Sequence, residues 1–158
     1  HPDPYHAAQQ VIKMGANSVT IHLREDRRHI NDNDAIKICK LKKVLVNLEI
    51  SMNDKIIKNA LKIKPNYICI VPENRKEITT EGGLNLYKNM KKLKKIIQKF
   101  KKAKIRTSLF INPLSKDIKL SKELNLNNIF YKVHIERTHF NSYVIINSIN
   151  NFFELFLL

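Results

Sequence analysis

Apolar residues recur along this chain with two alternating periods, and each change of period marks the edge of an element. Val19, Ile21 and Leu23 fall on one face of an extended segment, while Thr20, His22 and Arg24 fall on the other, because side chains alternate along a strand. Before it, Asp3 as N-cap and Pro4 at the first helical position predict a helix with Ala8, Val11 and Ile12 as its apolar stripe, ended by Gly15. After it, Asp34 to Lys40 reads as a short helix with Ile36 inward. Val44 to Ile50 reads as a second strand, Val44, Val46, Leu48 and Ile50 opposing Leu45, Asn47 and Glu49.

Ser51 is placed to cap a helix running to about Ile63, with Ile56, Ile57, Ala60 and Leu61 at helical spacing. Pro65 and Asn66 turn the chain into a third strand, Tyr67 to Val71. Leu84 to Ala103 forms a long helix, apolar at Leu86, Met90, Leu93, Ile96, Ile97 and Phe100, whose lysines make a solvated face. Ile105 to Ile111 is a fourth strand, Asp117 to Leu124 a helix and Ile129 to Ile135 a fifth strand. Strands alternating with helices predict βα units and a parallel sheet, with the polar strand ends meeting at one rim.

That rim gathers chemistry. From His22 to His29 the sequence carries two imidazoles, three guanidiniums and two carboxylates, Glu25 and Asp26. A solvated loop would account for such a run. The inward face of a strand enclosed on both sides would not call for His22 and Arg24 unless they serve a ligand. Glu49 ends the second strand in the same way. The loop from Pro72 to Gly83 holds two of the chain's three glycines, and Gly82 and Gly83 beside Thr79 and Thr80 would allow close backbone approach to a phosphate. A flexible turn is the plainer alternative.

Composition narrows the class. The 158 residues are 43% hydrophobic, enough for one ordinary core and a single domain. The net charge of +15 favours anionic partners, but only 6 of the 29 basic residues are Arg, and no recognition motif or aromatic-interleaved basic strip appears. Nucleic acid is therefore not the expected partner. Cys39 and Cys69 stand alone among apolar residues, which predicts buried, reduced thiols and no metal. With no signal peptide and no apolar run of about 20 residues, the chain is expected to be soluble, cytoplasmic and free of membrane.

The segments VTIHLREDRRHI, VNLEI, VPENRKEITTEGG and SLFI, in that order and at these separations, resemble the pyridoxine 5′-phosphate synthase family of the deoxyxylulose-dependent vitamin B6 pathway. The resemblance runs from His1 to about Asn128. It implies a (β/α)8 barrel and a ring-closing condensation of 3-amino-2-oxopropyl phosphate with 1-deoxy-D-xylulose 5-phosphate, releasing phosphate and water. It implies no metal or organic cofactor, phosphorylated small-molecule substrates, and a homo-oligomer for the full-length family. His22 and Glu49 match the family's catalytic acid/base positions, and Arg24, His29 and Thr79 its positions for the deoxyxylulose phosphate. Schiff-base formation, enolisation and dehydration need protons moved near neutrality, and an Arg supplies fixed charge for phosphate.

The departures shape the expectation as much. The chain opens on His1, with the family's first strand lying before it, and VHIERTHF stands where the family has a Glu-Ile-His-Thr-Gly type strand. The tail after Phe140 resembles nothing in the family, so the last strands, a third catalytic His and a glycine-rich phosphate site are missing. The expectation is a partial TIM barrel with parallel strands, about five of eight present. Residues 1–128 would form its family-like βα units and residues 129–158 a divergent segment of the same domain. An open barrel would leave Thr20, His22 and Glu49 facing water, untuned, and the chain an inactive fragment. The alternative is a non-catalytic basic module that binds phosphate or RNA through Arg27, Arg28 and the Lys-rich helix.

Overall fold

The computed structural model describes residues 3–73, 82–124 and 126, and the strand segments 128–132, 143–146 and 153–156. Five helices and seven strands occur among them: α1 Pro4–Lys13, β1 Ser18–Leu23, α2 Asp32–Cys39, β2 Leu45–Ile50, α3 Asp54–Ile63, β3 Tyr67–Ile70, α4 Leu86–Lys102, β4 Arg106–Ile111, α5 Ser115–Lys122, β5 Asn128–Lys132, β6 Tyr143–Ile146 and β7 Phe153–Phe156. The strands form one sheet in sequential order, with β1 and β7 at its edges. β1 to β5 are mutually parallel. This is the expected succession of barrel βα units, left open.

Short polar side chains start the helices. Asp3 Oδ1 accepts from the Tyr5 N–H at 2.9 Å, with Pro4 at the first position. Asn31 caps α2 through a reciprocal capping box with Asp34, so that helix begins at Asp32, earlier than its pattern suggested. Asn53, not Ser51, caps α3. Asn85 caps α4 by accepting from the Lys88 N–H. Gly15, at φ +101°, follows α1 as a C-terminal glycine should.

Two apolar positions differ from their expected burial. In α1 Val11 is exposed, while Tyr5 and Ile12 join Ala8 against the core. In α2 the buried residues are Ala35 and Ile38, with Cys39 packed beside them, and Ile36 faces out. The spacing 35, 38, 39 is itself helical, so the roll of α2 was ambiguous until packing chose it.

The sheet's faces divide cleanly. Ile21, Leu23, Val46, Leu48, Ile50, Ile68, Ile70, Leu109 and Ile111 pack with Ile56, Ile57, Leu93, Ile97 and Phe100 of the helices into one core. On the other face Cys69, Val71 and Phe110 form a small separate cluster. The positions around it are polar. Cys69 is buried, as expected, but Cys39 is only partly so; both are free thiols.

The tail departs from the parallel pattern. β5 pairs with β6 antiparallel, and β6 with β7 likewise. Only six residues separate β6 from β7. A parallel return needs a crossover of about a dozen or more residues, so a link this short dictates the antiparallel arrangement.

Candidate active site

The inward face is ordered by register. His22 pairs with Glu49, Glu49 with Cys69, Cys69 with Ser108 and Ser108 with Asn128, so one row crosses all five parallel strands. One row toward the strand starts, Thr20 lies opposite Asn47, whose Nδ2 donates to Thr20 Oγ1 at 3.4 Å. There Arg106 also donates to Tyr67 Oη at 2.8 Å and stacks 5.4 Å from its ring centroid, closing that end of the face.

The polar groups concentrate at the strands' C-terminal ends. His22 Nδ1 lies 3.9 Å from Glu49 Oε2, and His22 Nε2 lies 3.9 Å from Glu73 Oε2. The His22 and Glu49 side chains keep 25% and 30% exposure, whereas Glu73 keeps 3%. Burial, helped by the Arg24 charge, pulls His22 down to about 4. Burial alone pushes Glu49 up to about 7. The usual order is thus inverted: near neutrality the imidazole is uncharged and the carboxyl beside it is poised between its protonated and ionised forms. Although the sheet is open, these groups are not left as ordinary solvated side chains, contrary to the expectation for a truncated barrel.

Glu73 is the site residue that sequence reasoning passed over. It follows β3 as Glu49 closes β2, so the rule that picked Glu49 could have found it. Its Oε1 accepts from the Glu25 N–H at 2.7 Å. The Glu25 carboxylate in turn accepts from Ser51 Oγ at 2.8 Å and Asn53 Nδ2 at 2.9 Å. Ser51, expected as a helix cap, instead helps tie β1's loop to β2's. Burial raises Glu73, against the lowering effect of the Glu25 N–H.

The arginines are committed locally to different degrees. Arg24, 12% exposed, makes two bonds to Asp26, Nε to Oδ1 at 3.1 Å and Nη2 to Oδ2 at 3.3 Å. Those bonds raise Arg24 and leave some of its N–H donors for an anion. Arg28 shares Asp26 at 3.4 Å. Arg27, at φ 56°, makes two bonds to Asp32 at the start of α2, which Asn59 also holds. It serves the fold, which removes a principal contact of the basic-module alternative. His29 is exposed in the same loop, and its charge also lowers His22.

Thr79 and Thr80 lie outside the described residues, as does Val133 to Phe140. Gly83 is described, and it is needed for a different reason than ligand approach. A Cβ there would sit 2.2 Å from Asn112 N and from Ile111 C. Its N–H donates to Asn112 Oδ1 at 2.8 Å, and Leu84 N–H to Phe110 O at 2.8 Å. The glycine fits the chain's own β4 backbone. Among the described residues no helix is long and apolar enough to cross a membrane, and no group of three or more His, Cys, Asp or Glu is placed to hold a metal ion.

Comparison with known proteins identifies relatives of this chain. Residues 1–136 match the family model described as pyridoxal phosphate biosynthesis protein PdxJ. The chain is 68% identical over 125 residues to a pyridoxine 5′-phosphate synthase of Pelagibacter ubique, covering 79% of this chain and 52% of that one. It is 50% identical over 125 residues to that of Aliarcobacter butzleri, covering 79% and 48%. The chain thus spans about half the length of the curated relatives it matches. Among solved structures, D-psicose 3-epimerase in the presence of D-fructose superposes with a TM-score of 0.54 at 11% identity, over 80% of this chain and 56% of that one. That likeness is one of fold.

Proposed function

The chain belongs to the PdxJ family of pyridoxal phosphate biosynthesis proteins, and from that premise we propose that its inward face is part of a pyridoxine 5′-phosphate synthase site. The reaction is the ring-closing condensation of 3-amino-2-oxopropyl phosphate with 1-deoxy-D-xylulose 5-phosphate. The observation that carries the reading is the His22–Glu49 pair, 3.9 Å apart on the inward face with their affinities for protons inverted. A carboxyl near 7 can give and take a proton at working pH, and a neutral imidazole beside it can relay one. Those are the movements that imine formation, enolisation and loss of water require. Arg24, preoriented by Asp26, and His29 would receive the deoxyxylulose phosphate, with Thr79 as a hydroxyl donor.

Residues 1–128 and 129–158 act in this reading as one domain, because β6 and β7 continue the sheet begun by β1 to β5. Phosphorylated intermediates are retained inside cells by their charge, which supports a cytoplasmic location. In the full-length protein we expect a homo-oligomer.

The test uses the 158-residue chain with both substrates. Deoxyxylulose phosphate should bind, shifting the His22 ring resonances, while pyridoxine phosphate and released phosphate stay undetected, because losing members of a catalytic constellation costs orders of magnitude in rate. Salt-sensitive RNA binding with no response to deoxyxylulose phosphate would overturn the reading in favour of the basic module. Turnover near 1 per second, within the usual enzyme range, would show that the divergent tail supplies the missing groups.

A further inference from the structure

His22 stands between two carboxyls of unequal character. Glu49 faces its Nδ1 and is partly in water; Glu73 faces its Nε2 and is almost wholly out of it. His22 Nε2 and Glu73 Oε2 are both buried, and neither has a hydrogen-bond partner. Two buried polar atoms without partners, aimed at each other across 3.9 Å, are costly, and an approach of roughly 1 Å would join them at ordinary hydrogen-bond length. The other end of Glu73 is anchored by the Glu25 N–H, itself held through Ser51 and Asn53. Glu73 therefore belongs to a chain of contacts that fixes the back of the ring.

We infer that Glu73 is a positioning residue that holds the proton of neutral His22 on Nε2, leaving Nδ1 as the basic nitrogen that faces Glu49. This rests on the proposed function for its consequence in catalysis, but its physical content concerns one tautomer. A neutral imidazole has one N–H for two carboxyl neighbours. The less hydrated carboxylate is the stronger acceptor, because it has lost its water partners and gained one N–H in return. A proton on Glu49, which stands at about 7, strengthens the same arrangement by donating to Nδ1. Burial raises Glu73, and the Glu25 N–H and the Arg24 charge act against that rise by favouring its ionised form. An ion of this kind behind a catalytic imidazole sets which nitrogen is the base.

The tautomer can be read directly. In the uniformly ¹⁵N-labelled chain near pH 7, long-range proton–nitrogen correlation distinguishes the protonated ring nitrogen from the bare one. His22→Asn identifies the resonances among the six histidines. The native chain should show His22 protonated on Nε2. In Glu73→Gln the single amide oxygen remains bound to the Glu25 N–H, so the amide nitrogen faces Nε2 as a donor and the ring proton should move to Nδ1. A merely structural role for Glu73 would not move it, since the tether to Glu25 survives. An Nδ1 proton in the native chain overturns the inference, and so does an unchanged tautomer in Glu73→Gln. Should that variant not fold, the native spectrum alone decides. Neither readout requires substrate, so failure to bind deoxyxylulose phosphate would count against the proposed function and leave this result standing.

Discussion

The two faces of the parallel sheet are built from alternate residues of the same strands, yet they obey different physics. On the helix-covered face Leu23, Val46, Leu48, Ile50, Ile68 and Leu109 are all 0% exposed. One residue away, His22, Asn47 and Glu49 keep partial access to water, and two polar atoms, His22 Nε2 and Asn47 Oδ1, lack partners. The first face lowers free energy by removing apolar area from water. The second raises it, by desolvating groups that water would otherwise satisfy. A fold retains such a face when the desolvated groups are used for something else, and the inverted proton affinities of His22 and Glu49 show what that use can be.

The contrast can be broken most sharply at neighbouring positions. Leu48→Ala should cost about 2–5 kcal/mol in urea unfolding, because it empties a fully buried site in the main core. A loss under about 1 kcal/mol would show that the covered face does not carry the fold. Next in size is Gly83→Ala, at the edge of the inward face. Its Cβ would overlap β4 backbone at 2.2 Å, and overpacking against groups that cannot move costs about 1–3 kcal/mol or more. Unchanged stability with weakened phosphate binding would restore a ligand role for this glycine.

The smallest effect has the opposite sign. Glu49 is raised from 4.5 to about 7 in the folded chain, so between these values the native state holds more protons than the unfolded one and stability falls as pH rises. Glu49→Gln removes that loss. The variant should gain on the order of 1–2 kcal/mol over the native chain at pH 8, less than the full linkage value because the side chain is 30% exposed. The gain should vanish by about pH 4.5. His22, lowered from 6.5 to about 4, works the other way: its contribution is complete above 6.5 and is lost as pH falls toward 4. In Glu49→Gln, therefore, stability should rise with pH across that window, where the native chain's two opposing slopes largely cancel. Denaturant midpoints measured every half unit of pH would check both statements.

Much of this organisation was legible in advance. Period-two alternation assigned His22, Arg24 and Glu49 to one face, and the structure brings His22 and Glu49 together in register. Helical periodicity gave every buried position of α4, because a 17-residue helix repeats its stripe often enough to be unambiguous. Shorter helices were less readable. In the eight-residue α2, either Ile36 or the set Ala35 and Ile38 could have faced inward. The caps Asn31, Asn53 and Asn85 were hidden by an Asn-rich composition, in which a preferred capping residue is also a common one. Ser51 misled for a related reason: its hydroxyl can cap a helix or reach another strand's loop, and Glu25 decided which.

What the chain's pattern determined by itself was the succession of βα units and the side to which each strand residue points, because alternation and helical periodicity are local consequences of backbone geometry. What only the tertiary structure decided were the relations between distant segments. Glu73 meets His22 across 51 positions, and Gly83 meets Asn112, just past β4, across 29. Nothing near either residue in the sequence specifies those distances. The same is true of proton affinity. Glu49 carries a carboxyl whose ordinary value is 4.5, and it reaches about 7 only because other strands take water away from it, a cost that exists once the sheet has formed.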